Sequence, residues 1–177
     1  MDQKTAKKII DDRRSSGKND QQIYDELSAH YDNKKNLALL ITGTAPVQIR
    51  KQYKPYNNAL IGLLAMILLF RLIGIFSLVA EGEVLGLLIS LIGILLPVLF
   101  IYGFIHYMGA MYKLCGFLTV LGIVQLIASW DNVVFGIIGL IILIPMAFLS
   151  FYLSSKMFPN FSPNKLRKDK DGGYLLN

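Results

Sequence analysis

The chain changes character twice. Up to about residue 58 apolar residues come in short clusters between polar ones, from Ala59 to Ser155 they run almost unbroken, and from Lys156 onward the sequence is again polar and basic. A hydrocarbon core roughly 30 Å thick takes about 20 helical residues. Charged or aromatic breaks cut the apolar stretch into four pieces of that length, 59–80, 84–105, 108–129 and 133–155. The breaks are Glu81-Gly82-Glu83, a turn around His106 to Lys113, and Trp130-Asp131-Asn132. The expected fold is an all-α integral membrane protein, a bundle of four transmembrane helices.

Residues 1–45 predict a small helical module. Lys4 to Ser15 carries Ile9 and Ile10 and stops at Gly17; Asn19 or Asp20 can cap a second helix with Ile23, Leu27 and Tyr31 on one stripe; Asp32 or Asn33 opens a third with Leu37, Leu40 and Ile41, ended by Gly43 and Pro46. Each helix is too short to be stable alone, so the three must pack together or against a partner. Residues 46–58 read as a basic linker. Residues 156–177, with Pro159, Pro163 and Gly172-Gly173, predict an extended, mostly disordered tail.

Charge sharpens the division. Residues 1–58 hold 11 Lys+Arg and 7 Asp+Glu, residues 59–155 only 2 and 3, and residues 156–177 hold 5 and 2. The two acidic turns carry no basic residue, whereas Arg50, Lys51, Lys54, Lys113, Lys156 and the cluster from Lys165 to Lys170 all fall on the other side. Basic residues favour the cytoplasmic side of a membrane. Both termini are therefore expected in the cytoplasm, and the expected location is the cytoplasmic membrane of a bacterium. Tyr53, Tyr56, Tyr102, Tyr107, Tyr112 and Tyr152 fall where an inner aromatic belt belongs, and Trp130 falls at the outer boundary. The first 56 residues hold no apolar signal-peptide core, so no cleavage is expected.

A shift of 48 residues superimposes Leu68–Ile105 on Gly116–Leu153 with nine identities, including Gly74/Gly122 and Pro97/Pro145, and sets Glu83 over Asp131. This suggests a parallel 2+2 repeat about an axis along the membrane normal. Pro97 and Pro145 are expected to kink their helices and free backbone carbonyls. Gly86, Gly93, Gly116, Gly122, Gly136 and Gly139 lie on small-residue stripes of the kind over which membrane helices approach.

Arg71 is the unusual residue. Ten residues before Glu81, it lies about 15 Å into the membrane, near the midplane, where arginine costs about 2.5 to 3.5 kcal/mol on insertion scales. It should face inward and have a partner. No acid shares its depth, so the expected polar cluster is Arg71, Gln125, Thr119 and Ser90, either an Arg71–Gln125 clasp or a contact for an anion, a lipid headgroup or a second subunit.

Most chemistry is excluded. Cys115 is the only cysteine, His30 and His106 are far apart, and no nucleophile elbow, phosphate loop or embedded carboxylate pair occurs. No catalytic residue, cofactor or metal site is expected. Acids mixed among the bases leave no nucleic-acid face. The run Gly17-Lys18-Asn19-Asp20-Gln21-Gln22-Ile23-Tyr24 locally resembles the helix-turn-helix of bacterial haem-maturation subunits, over about 30 residues. The cysteine pair that carries those proteins' thiol chemistry is absent, so no activity follows. Two functions fit: a non-enzymatic membrane subunit or scaffold whose module engages another membrane or cytoplasmic protein, or a copy of itself, and a small, dimeric carrier or channel for an anionic or amphipathic solute. In both the lipid bilayer is a partner.

Overall fold

The structure, a computed structural model, describes residues 3–31, 33–81, 84–128, 133–161, 167–168 and 174–176. It is helical almost throughout. Three short helices, α1 (Gln3–Ser15), α2 (Asp20–Ser28) and α3 (Lys34–Thr42), precede four long ones, α4 (Val47–Glu81), α5 (Val84–Ile105), α6 (Gly109–Ala128) and α7 (Val133–Met157). A two-residue antiparallel pair follows, β1 (Arg167–Lys168) with β2 (Tyr174–Leu175). Within these, Val47–Ile75, Gly109–Ala128 and Gly136–Met157 are long and apolar enough to cross a membrane, and Gly93–Ile105 is a shorter apolar helix. The acidic and Trp130 turns lie largely outside the described residues.

The chain divides into two compact units. The first comprises Met1–Tyr53, Met108–Ala110 and Ser154–Asn177. Its core is Ala6 and Ile10 from α1, Ile23, Tyr24 and Leu27 from α2, and Leu37, Ala38, Leu40 and Ile41 from α3, so the three stripes pack on one another. Of the candidate caps, the fold uses Asn19, in a reciprocal capping box with Gln22, and Asn33, which accepts from Asn36 N at 3.0 Å. Gly17, at φ 86°, ends α1 in a Schellman arrangement, with Lys18 N donating to Arg13 O and Gly17 N to Arg14 O. Arg14 binds Asp20 and donates to Ile41 O and Thr44 O at 2.8 and 2.6 Å, placing a cation at the C-terminal end of α3.

Both flanking segments take definite structure at their described residues. The basic stretch 46–58 is helical: from Val47 it is the first part of α4. Lysine, arginine and glutamine are good helix formers, and Pro46 stands just ahead of the helix, where its missing N–H costs nothing, its carbonyl accepting from Arg50 N at 2.9 Å. The tail is anchored at its described points. Leu176 is buried in the core of the module, Gln21 binds both Leu176 N and Tyr174 O, and Tyr174 sits edge-on to Tyr24 at 6.3 Å. Phe158 and Phe161 are also buried, because Gly109 and Gly43 leave room for their rings.

The second unit comprises Lys54–Tyr107 and Met111–Leu153. Its outward residues are large and apolar, among them Leu69, Ile73, Leu95, Phe117, Ile141 and Phe148. Such a surface is at home in hydrocarbon and costly in water.

Candidate functional site

Arg71, Gln125 and Thr119 line one cavity of about 430 Å³ within the second unit. Its walls are otherwise mainly apolar, with Leu64, Ile67, Leu96, Phe100, Leu118 and Met146 contributing, together with Cys115, Pro97 and the glycines Gly93, Gly122 and Gly139. Arg71 comes from α4, Gly93 and Pro97 from α5, Thr119, Gly122 and Gln125 from α6, and Gly139 from α7. Helical spacing explains the α6 contribution: Cys115, Thr119, Gly122 and Gln125 are separated by four, three and three residues and so share one face.

The expected clasp is not made. Arg71 and Gln125 border the same space without a hydrogen bond between them, and among the described residues Arg71 has neither a hydrogen-bond acceptor nor an ion-pair partner. Its guanidinium instead lies against Gly93: a Cβ there would overlap Nη1 and stand 3.1 Å from Cζ. Thr119 is buried and donates to Cys115 O at 2.7 Å, one turn back in its own helix, so its hydroxyl proton is committed. Ser90 is half-buried and does not line the cavity.

The small residues act differently from a simple backbone-to-backbone seam. Gly116 receives the ring of Phe151, whose atoms stand 3.0 to 3.1 Å from where its Cβ would be, and Gly139 receives the Leu126 side chain. Gly136 is buried, while Gly122 has open space beside it and borders the cavity. The glycines are hollows for a neighbour's large side chain, and where the hollow is not filled the cavity remains. Gly86 lies outside the described side chains. Both α5 and α7 continue through their prolines, but Pro97 is buried at the cavity and Pro145 is exposed, so the two equivalent positions have different surroundings. Pro97 lacks the N–H that a regular helix would direct at the Gly93 carbonyl, and both residues line the cavity.

Sequence reasoning missed a polar contact in this unit. Tyr112, expected in the aromatic belt, is fully buried and donates to Asn57 Oδ1 at 2.6 Å, while Asn57 Nδ2 donates to Phe104 O at 3.2 Å. A buried phenol and amide must find partners, and here α4, α5 and α6 supply them to one another. Tyr102, by contrast, is exposed and packs on His106, as an interfacial ring would. Cys115 is buried beside Thr119 and Ser150, a small packing residue.

Among the described residues no group of three or more histidine, cysteine or acidic side chains is arranged to hold a metal. Comparison with known families, with curated proteins and with solved structures finds no match, and the helix-turn-helix resemblance around residues 17–24 gains no family match from it.

Proposed function

We propose that this chain is a non-enzymatic, four-helix membrane protein with both termini in the cytoplasm, acting as a small carrier for an anionic or amphipathic solute. One observation supports the reading above the rest: Arg71 opens on a cavity of about 430 Å³ and has no neutralising partner among the described residues. Arginine near the bilayer midplane is expensive enough that structures keep it for a purpose, and a solute anion is the partner such a charge lacks. The cavity size falls within the usual range of ligand sites, about 300 to 1,000 Å³. Because four helices enclose little space, transfer across the bilayer in this reading takes place in a homodimer. Flux of a fluorescent fatty-acid anion into proteoliposomes tests it. Arg71→Leu should fold, since it removes a costly charge, and should lose flux; a folded variant moving the anion at the unaltered rate would dispose of the carrier reading.

The scaffold reading keeps one observation of its own. In the first unit a groove of about 550 Å³ is bordered by Lys7, Tyr31 and Asn36 and floored by Leu39, Met108 and Phe161, which suits a peptide segment with an apolar anchor. A protein co-purifying in mild detergent and released by Leu39→Arg would support it; an isolated monomer from native membranes would count against it.

A further inference from the structure

Resting on the carrier reading, the geometry points to the class of solute: we infer that the Arg71 cavity takes an amphiphile bearing a single negative charge, with its headgroup on the guanidinium and its hydrocarbon along the Leu64, Phe100 and Met146 walls. The charge count comes from the lining. Among the described residues Arg71 is its one ionised side chain, and no described carboxylate borders the cavity. In a low-dielectric site one guanidinium neutralises one charge, and a second would remain uncompensated at a large desolvation cost.

The neutral groups point the same way. Thr119 has given its proton to Cys115 O, so it offers lone pairs and repels a second anionic oxygen. Pro97 removes the helical donor to the Gly93 carbonyl, and Gly93 and Pro97 both line the cavity. Gln125, whose amide has both a donor and an acceptor end, borders the same cavity. That set suits a group whose charge is confined to one pair of oxygens, such as a carboxylate or a phosphodiester, either of which the planar guanidinium can bind through two parallel hydrogen bonds. A phosphate monoester, with three acceptor oxygens and close to two charges at neutral pH, is a poor match. The apolar remainder of the wall excludes small hydrophilic anions as the preferred solute, because they leave that surface unfilled.

The test is equilibrium binding to the purified full-length protein in non-ionic detergent at pH 8, using dodecanoate, dodecyl phosphate and dodecanol. Dodecanoate should bind at least about 10-fold more tightly than dodecyl phosphate or dodecanol, as expected for one charge-assisted hydrogen-bonded pair. Lowering the pH to 5, below the second phosphate pKa near 6, converts dodecyl phosphate largely to a monoanion and should tighten it. Arg71→Leu should remove the preference for the anion over dodecanol, and Gly93→Ala, which displaces the guanidinium while leaving it in the protein, should weaken dodecanoate as well. Tightest binding of the dianion at pH 8 would overturn the single-charge inference and leave the carrier reading standing. No saturable binding of any of the three compounds would remove both. Competition by phosphatidylglycerol would name a lipid phosphodiester as the natural source of the charge, and its absence a single-chain acid; both outcomes support the single charge.

Discussion

The guanidinium of Arg71 occupies the space that a side chain at Gly93 would need, with Cζ 3.1 Å from where the Cβ would stand. Glycine in a helix interior is about 1 kcal/mol less favourable than alanine, so this position gives up helix stability and in return holds a cation beside an open cavity. Gly93→Ala should therefore leave detergent thermal stability unchanged or slightly raised, since the end of a long side chain moves at little cost. Binding of an anionic amphiphile should fall by about 10-fold, the loss of one charge-assisted hydrogen bond. Parallel melting and binding curves check both halves, and unaltered binding would show that Arg71 is not held by this contact.

The Tyr112–Asn57 bond is fully buried. Tyr112→Phe removes the donor and leaves Asn57 Oδ1 without it, an orphaned acceptor costing about 1 to 3 kcal/mol. The variant should melt well below the unaltered protein. A melting temperature within a degree of the original would mean that the amide finds another donor.

At the other end of the chain, Leu176 fills a core made by α1, α2 and α3. Leu176→Ala should destabilise the module by about 2 kcal/mol, the low end for a buried leucine because chain ends relax readily. Hydrogen exchange in α2 and α3 reads this directly. Faster exchange there, with α6 unaffected, is expected; equal protection would return the tail to the extended state the sequence suggested.

Glu26 sits between Lys18 and Arg13, at 2.5 and 2.6 Å. The Lys18 hydrogen bond, assisted by the Arg13 charge, holds its carboxyl below the ordinary value of 4.5. The folded form thus binds the proton less readily than the unfolded one. The contribution to stability is complete above about pH 4.5 and disappears as the pH falls through the lower folded value. Glu26→Gln should lower stability slightly at pH 7 and match the unaltered protein at pH 2 to 3. The difference at pH 7 should shrink in 1 M salt, because the pair is exposed and screened.

What the sequence determined by itself is what local physics dictates. The run of apolar residues from Ala59, a cap within Asn19-Asp20 and another within Asp32-Asn33, the stop at Gly17 and the stripes through Ile23, Leu27, Leu37 and Ile41 depend on neighbours within a turn or two, and so they are readable in order along the chain. The tertiary structure decided which distant groups meet. That α6 carries Gln125, Thr119 and Cys115 on one face follows from spacing; that Arg71 comes to the same cavity and lies against Gly93 rather than bonding Gln125 does not, because the geometry depends on how much side chain fills each glycine hollow. For the same reason Tyr112 looks interfacial from its position near a span end, whereas the Asn57 amide, 55 residues away in the chain, accepts its hydroxyl and lets it be buried. Leu176 shows the limit most plainly: the composition of a tail describes how it behaves alone, and only the folded module provides the hydrophobic site that outweighs the entropy of ordering it.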